Sequence, residues 1–164
     1  MTMPQELPSR HHPRLKEYDY SQSGYYFVTV CTKNRQQLLS SVVVGRDDLI
    51  PPSVRLTPTG AVVQRYIHGI ETAYNTVALD SYVIMPDHIH LLLRFHPSEN
   101  GGMGSSRPTL DMVIRGLKRM VTQELGCSIW QDSFYDHVIR SEQAYCEICQ
   151  YIDDNPAKWL ENHS

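Results

Sequence analysis

The 164-residue sequence contains no apolar run near the roughly 20 residues that a membrane span requires, so no membrane partner is expected. The stretch Met1–Pro13 is polar and lacks the apolar segment of a secretory signal. A cytoplasmic location is therefore expected, with the 4 cysteines as reduced thiols. An internal repeat is also lacking. Basic residues are outnumbered: 15 Lys and Arg against 18 Asp and Glu give a net charge of −3. That balance excludes a basic field over the whole surface, though not a local one. Three clusters could make such a patch: Arg10 to Lys16 (with Arg14), Lys33 with Arg35, and Arg115, Lys118 and Arg119. Cys146 and Cys149 have C-x-x-C spacing but lie well inside a helical pattern with no second ligand pair, so they read as core cysteines rather than a redox or zinc pair.

What is present points to a folded chain. Hydrophobic residues make up 41% and charged residues 20%, a balance that argues against disorder. The length suits one domain over 1–164, with 1–20 as an extended N-terminal arm. The run YYFVTVCTK from Tyr25 is rich in β-branched and aromatic residues and predicts a strand. Val42–Val44 and Val54–Leu56 suit a small hairpin. Thr59 suits the cap of a helix running to about Ala73. Strands follow at Val77–Met85 and His88–Phe95, separated by a tight break at Met85-Pro86-Asp87. The second of these is apolar enough to be central. Pro97–Pro108 reads as a Gly/Ser-rich loop. Thr109–Leu125 is a helix stopped by Gly126, and Phe134–Arg140 is a strand. Ser141 caps a last helix, predicted to end near Asp154 because Pro156 disfavours helical geometry at Asn155. The order β-α-β-β-α-β plus a final helix predicts an α+β, ferredoxin-like fold: an antiparallel sheet with two helices on one face and the extra C-terminal helix on the other.

Two features carry chemistry. His88 and His90 alternate with Ile89 on one strand, so both imidazoles share a face and can chelate one divalent ion. A hydrogen-bonded pair without metal is the other reading of that spacing. On the last helix, Tyr145, Ile148, Cys149 and Ile152 form an apolar stripe, Tyr151 lies at its edge beside Ala144, and Asn155 lies one turn further along the same edge. Tyr145, mid-stripe, reads as core. A tyrosine hydroxyl can attack a phosphodiester, but its ordinary pKa near 10 means that it needs a base or an activated phosphate.

Four segments, in this order, resemble the single-tyrosine HUH transposases, and within them the REP-associated tyrosine transposases. They are GYYFVTVCTKNR (Gly24–Arg35), YVIMPDHIHLLL (Tyr82–Leu93), IWQDSFYDHVIR (Ile129–Arg140) and YIDDNPAKW (Tyr151–Trp159). The resemblance implies that Tyr151 is the nucleophile and that His88 and His90 hold Mg²⁺ or Mn²⁺. It also implies a single-stranded or hairpin DNA substrate, nicked and rejoined through a 5′-phosphotyrosine. In transposon members a glutamine one turn beyond the tyrosine completes the metal site. Asn155 stands there in this sequence, as in the REP-associated branch, with Asp154 as the fallback ligand. Arg14, Lys33, Arg35, Arg115, Lys118 and Arg119 are candidate phosphate contacts. Trp130 is either a base-stacking platform or a core residue; Gln131 and His137 lie near the last strand without a role. A monomer or homodimer is expected. The competing reading is a catalytically silent DNA- or RNA-binding module of the same fold, stacking bases on Tyr25, Tyr26 or Phe27.

Overall fold

In the computed structural model the described residues are 24–47, 49–97 and 108–163. The expected N-terminal arm with Arg14, and most of the expected Pro97–Pro108 loop, lie outside them. Strand β1 spans Gly24–Cys31 and is followed by a 3-10 turn, Lys33–Arg35. The hairpin β2 (Ser40–Val43) and β3 (Ser53–Leu56) leads into helices α1 (Pro58–His68) and α2 (Ile70–Ala73). Then come β4 (Val77–Ile84), β5 (His88–Phe95), α3 (Leu110–Leu125), β6 (Tyr135–Ile139) and α4 (Glu142–His163).

The main sheet has the order β4-β5-β1-β6 with every neighbouring pair antiparallel. This is the expected ferredoxin-like α+β arrangement, with β5 and β1 in the centre. Strand alternation divides their side chains between two cores. Tyr26, Val28, Val30, Ile89, Leu91 and Leu93 pack with the buried residues of α1 and α3. Phe27 and Leu92 face the other way and pack with Ile148 and Ile152 of α4. Among the described residues no helix is long and apolar enough to cross a membrane.

Local sequence sets most boundaries. Thr109 caps α3 by accepting from the Met112 N–H at 3.1 Å, and Gly126 ends it with φ of 80°, the left-handed stop that glycine permits. The α1 cap is Thr57, not Thr59: its hydroxyl accepts from the Gly60 N–H at 3.0 Å. Pro58, whose fixed φ suits the first helical position, makes that the better start. The expected single helix to Ala73 is broken at Gly69 into α1 and α2.

The start of α1 sits tightly on the chain before β2. The Thr57 N–H donates to the Leu39 carbonyl at 3.0 Å, and a Cβ placed on Gly60 would lie 1.9 Å from that same oxygen. Gly60→Ala is therefore expected to lower stability by about 1–3 kcal/mol, read as a fall in the urea midpoint at unchanged slope. An unchanged midpoint would mean that α1 lifts off Leu39 without cost.

One boundary differs more. The last helix does not stop at Asp154 but runs through Pro156 to His163. Proline removes the N–H that would reach the Ile152 carbonyl, and the preference it imposes on the preceding residue is a local bias only. Asn155 and Pro156 are both buried, so tertiary packing outweighs that bias here.

Candidate active site

The β1–β5 register places Thr29 opposite His90 and Cys31 opposite His88. Both histidines therefore rise from the centre of the sheet on the α4 side, His90 fully buried and His88 at 7% exposure. Their rings meet edge to face with centroids 4.6 Å apart, and Phe27 stacks on His90 at 5.0 Å. Each Nδ1 is already engaged. His88 Nδ1 lies 2.7 Å from the Asp87 carboxylate, and His90 Nδ1 lies 2.9 Å from the Thr29 hydroxyl. Each Nε2 is left for the site. That of His90 is buried without a hydrogen-bond partner, a costly state for a polar atom unless something binds it.

Electrostatics favours the ligating form of His90. Burial, and then the neighbouring charges of His88 and Arg35, hold its pKa well below the ordinary range, against a smaller opposing effect of the nearby Asn155 side chain. The ring is neutral at pH 7, with a lone pair to donate. Burial pushes the Asp87 carboxyl up, but the hydrogen bond and charge of His88 and then Arg35 outweigh it, and the net pKa is lowered.

Helix α4 closes the site from above. The stripe lies where its periodicity puts it: Ile148 and Ile152 are core, and Tyr145 packs edge-on against Tyr25 at 5.1 Å and donates to Asp80 at 2.7 Å. Tyr151, at the stripe's edge, meets His90 at 5.5 Å and Phe27 at 5.9 Å between ring centroids. It is half-buried, and burial raises its pKa against an opposing hydrogen bond from Asn155. Asn155 is buried at 7%. Its Nδ2 donates to the Tyr151 carbonyl at 2.8 Å, which leaves Oδ1 as the atom that could hold a metal. The helical spacing thus brings Tyr151, Asn155, His88 and His90 together. Asp154 instead accepts from Gln150 at 3.0 Å on the exposed side. Among the described residues no third His, Cys, Asp or Glu completes a cluster with the histidines. The donors present, two imidazole nitrogens and an amide oxygen, suit Mn²⁺ and Mg²⁺ better than a thiolate-seeking metal.

The extra turns of α4 add residues that the sequence reading missed. A cleft of about 260 Å³ beside Tyr151 is lined by Asn155, Lys158, Trp159 and His163 among others. Lys158 Nζ lies 5.3 Å from the Tyr151 ring centre. Trp159 stacks on His163 at 3.7 Å and lies 6.4 Å from His88. These residues fall on the same edge as Tyr151 at helical spacing, a signal lost by ending the helix too early. Asp87 was read only as part of a break, although it directly precedes the first histidine.

Most of the candidate phosphate contacts lie elsewhere. Lys33 is exposed in the turn after β1, at the site's end of the sheet. Arg35, in the same turn, points inward onto Asp87 at 3.1 Å. Arg115 and Arg119 are exposed on α3, across the sheet from Tyr151, with Arg115 paired to Asp111 at 3.4 Å. Lys118 donates to the Gln131 carbonyl at 2.7 Å, and burial lowers its pKa; it ties α3 to the segment before β6. Trp130 is a correction. It is 2% exposed within the α1/α3 core, so its ring is not offered to a base. Gln131 donates its N–H to the Cys31 carbonyl at 2.9 Å, and His137 is exposed on β6. Tyr26 and Phe27 are buried at 0% and 2%, so neither offers its ring to a base; Tyr25, the third aromatic of the RNA-binding reading, is exposed at the sheet's end and packs edge-on against Tyr145.

The chain matches the family described as "Transposase IS200 like" over residues 20–155. An uncharacterised protein of Haemophilus influenzae is 30% identical over 168 residues, covering 91% of this chain and 89% of its own. A REP-associated tyrosine transposase of Escherichia coli is 24% identical over 148 residues, covering 88% and 74%. A solved structure of a REP-associated tyrosine transposase bound to a REP hairpin shares the fold. Its TM-score is 0.58 at 24% identity, over 86% of this chain and 71% of the other. The chain belongs to the IS200-like transposase family.

Proposed function

We infer that this transposase nicks and rejoins single-stranded DNA beside a hairpin, with Tyr151 as the nucleophile and a divalent cation, Mg²⁺ or Mn²⁺, held by His88, His90 and Asn155. The observation that carries the reading is the buried, unpartnered Nε2 of His90 lying beneath a tyrosine and an amide presented by one turn of α4. The bound cation would act as a Lewis acid on a non-bridging phosphate oxygen.

The protein's own groups do the rest. The Tyr151 hydroxyl gives up its proton as its oxygen forms a bond to phosphorus, the bond from phosphorus to the 3′ oxygen breaks, and that oxygen takes up a proton and leaves as a 3′-OH, so protons balance over the step. The downstream strand stays on the enzyme through its 5′-phosphate. A phosphotyrosine is still a phosphodiester, so an incoming 3′-OH can reverse the step without ATP. Asn155 links the two functions, because its amide holds the Tyr151 carbonyl while its oxygen faces the histidines; positioning of this kind lowers the entropic part of the barrier. The hairpin preference is drawn from the related protein seen bound to a REP hairpin.

The test is polarity and strandedness. With Mn²⁺ and a hairpin oligonucleotide carrying single-stranded flanks, the protein is expected to become attached to the 5′ end of the downstream fragment, and fully paired duplex is expected to stay intact. Two free products with a 5′-phosphate and no adduct would identify water as the nucleophile and end this reading.

A further inference from the structure

The turn after β1 is built against local preference. Asn34 and Arg35 have φ of 55° and 53°, a region that asparagine tolerates but that a long side chain such as arginine rarely enters unless its surroundings hold it. The turn is closed by the Gln36 N–H donating to the Lys33 carbonyl at 3.2 Å. Its effect is to aim Arg35 back at the sheet. Arg35 Nε donates to Asp87 Oδ2 at 3.1 Å, one terminal nitrogen reaches Asp87 Oδ1 at 3.4 Å, and the other donates to Cys31 Sγ at 2.9 Å. Asp87 Oδ1 is also the partner of His88 Nδ1. The backbone is pinned from the same side: the Thr32 N–H and hydroxyl both donate to the Asp87 carbonyl, at 3.0 Å and 3.1 Å.

We propose that Arg35 is a positioning residue of the metal site, clamping Asp87 so that the carboxylate fixes the His88 ring with Nε2 facing the site. The proposal rests on the metal reading above. Asp87 is 5% exposed, and a single hydrogen bond to His88 leaves a carboxylate free to turn about its own side-chain axis. A guanidinium fork grips both oxygens and stops that rotation, which an ammonium cannot do. Groups that orient a ligating histidine in this way commonly matter for metal affinity by about 10- to 100-fold. Arg35 is also 49% exposed, so the alternative is a plain phosphate contact.

Two measurements on DNA-free protein separate these. In a Mn²⁺ titration, Arg35→Gln and Asp87→Asn are each expected to raise Kd by about 10-fold or more. The double variant should be no weaker than Asp87→Asn, because Arg35 acts through Asp87, and Arg35→Lys should not restore the affinity. Unchanged Mn²⁺ affinity in Arg35→Gln overturns the proposal, and a separate oligonucleotide titration with weaker binding and a shallower salt dependence would then identify Arg35 as a phosphate contact. The second measurement needs no metal. The His88 Nδ1 proton, in its buried bond to Asp87, is expected as a downfield ¹H resonance in the wild type that broadens or disappears in Arg35→Gln. If that resonance persists unchanged, the proposal fails. If it behaves as expected while wild-type protein binds no Mn²⁺ that His88→Ala removes, Arg35 keeps its role and the metal reading falls.

Discussion

Replacing Tyr151 with phenylalanine is expected to abolish strand cleavage and to leave the fold intact. The ring contributes the edge contacts to His90 and Phe27, and phenylalanine keeps the ring. What goes is the hydroxyl and its hydrogen bonding with Asn155. Stability should change by no more than about 1 kcal/mol. The rate should fall by on the order of 10⁴ or more, the scale on which loss of a nucleophile is felt. Both are readable at once: an unfolding curve that overlays the wild type, and a denaturing gel on which the labelled downstream strand no longer migrates with protein. The comparison that gives the result its meaning is Tyr145→Phe. Tyr145 donates to Asp80 and sits against Tyr25 away from the histidines, so its loss should leave the adduct in place. An adduct that survives Tyr151→Phe and vanishes in Tyr145→Phe would reverse the assignment of nucleophile.

The second large effect concerns His90. His90→Ala is expected to eliminate both Mn²⁺ binding and cleavage, since among the described residues its ring supplies a buried imidazole nitrogen without a hydrogen-bond partner. It also strands the Thr29 hydroxyl, at about 1–3 kcal/mol, so unfolding must be followed alongside. Asn155→Ala should behave differently. Metal binding should weaken, and cleavage should stay slow even at saturating Mn²⁺, because the same side chain holds the Tyr151 carbonyl. Full recovery of rate at high Mn²⁺ would reduce Asn155 to a ligand without a positioning role. Unchanged affinity would remove it from the metal site.

Much of this was legible in the sequence because it is local. The alternation around Ile89 put both histidines on one face, and the 3.6-residue spacing put Tyr151 and Asn155 on one edge. Thr109 and Gly126 marked the ends of α3 by their capping chemistry. What was not legible depends on contacts between distant segments. Thr29 and His90 are 61 positions apart, and only the strand register makes them partners. The inward turn of Arg35 needs two left-handed residues, yet neither is glycine, so the usual signal is missing. Pro156 gave a true local bias that packing overrode. Trp130 stayed open between platform and core because nothing in its neighbours announces the Thr32–Trp130 bridge beside which it is buried.

The unbroken run of α4 has a consequence for which kinds of sequence change the protein tolerates. Tyr151, Asn155, Lys158 and Trp159 are all indexed to one screw, fixed to the sheet near its start by Tyr145. Substitutions on its outer side leave that indexing alone. Adding or deleting a single residue between Ser141 and Tyr151 would rotate everything beyond it by about 100° and shift it by about 1.5 Å. The helix would survive intact while the nucleophile swung off the histidines. Length within this segment is therefore under tighter constraint than composition, and related chains that keep the chemistry should differ there by exchange of residues, with gaps confined to the connections outside it.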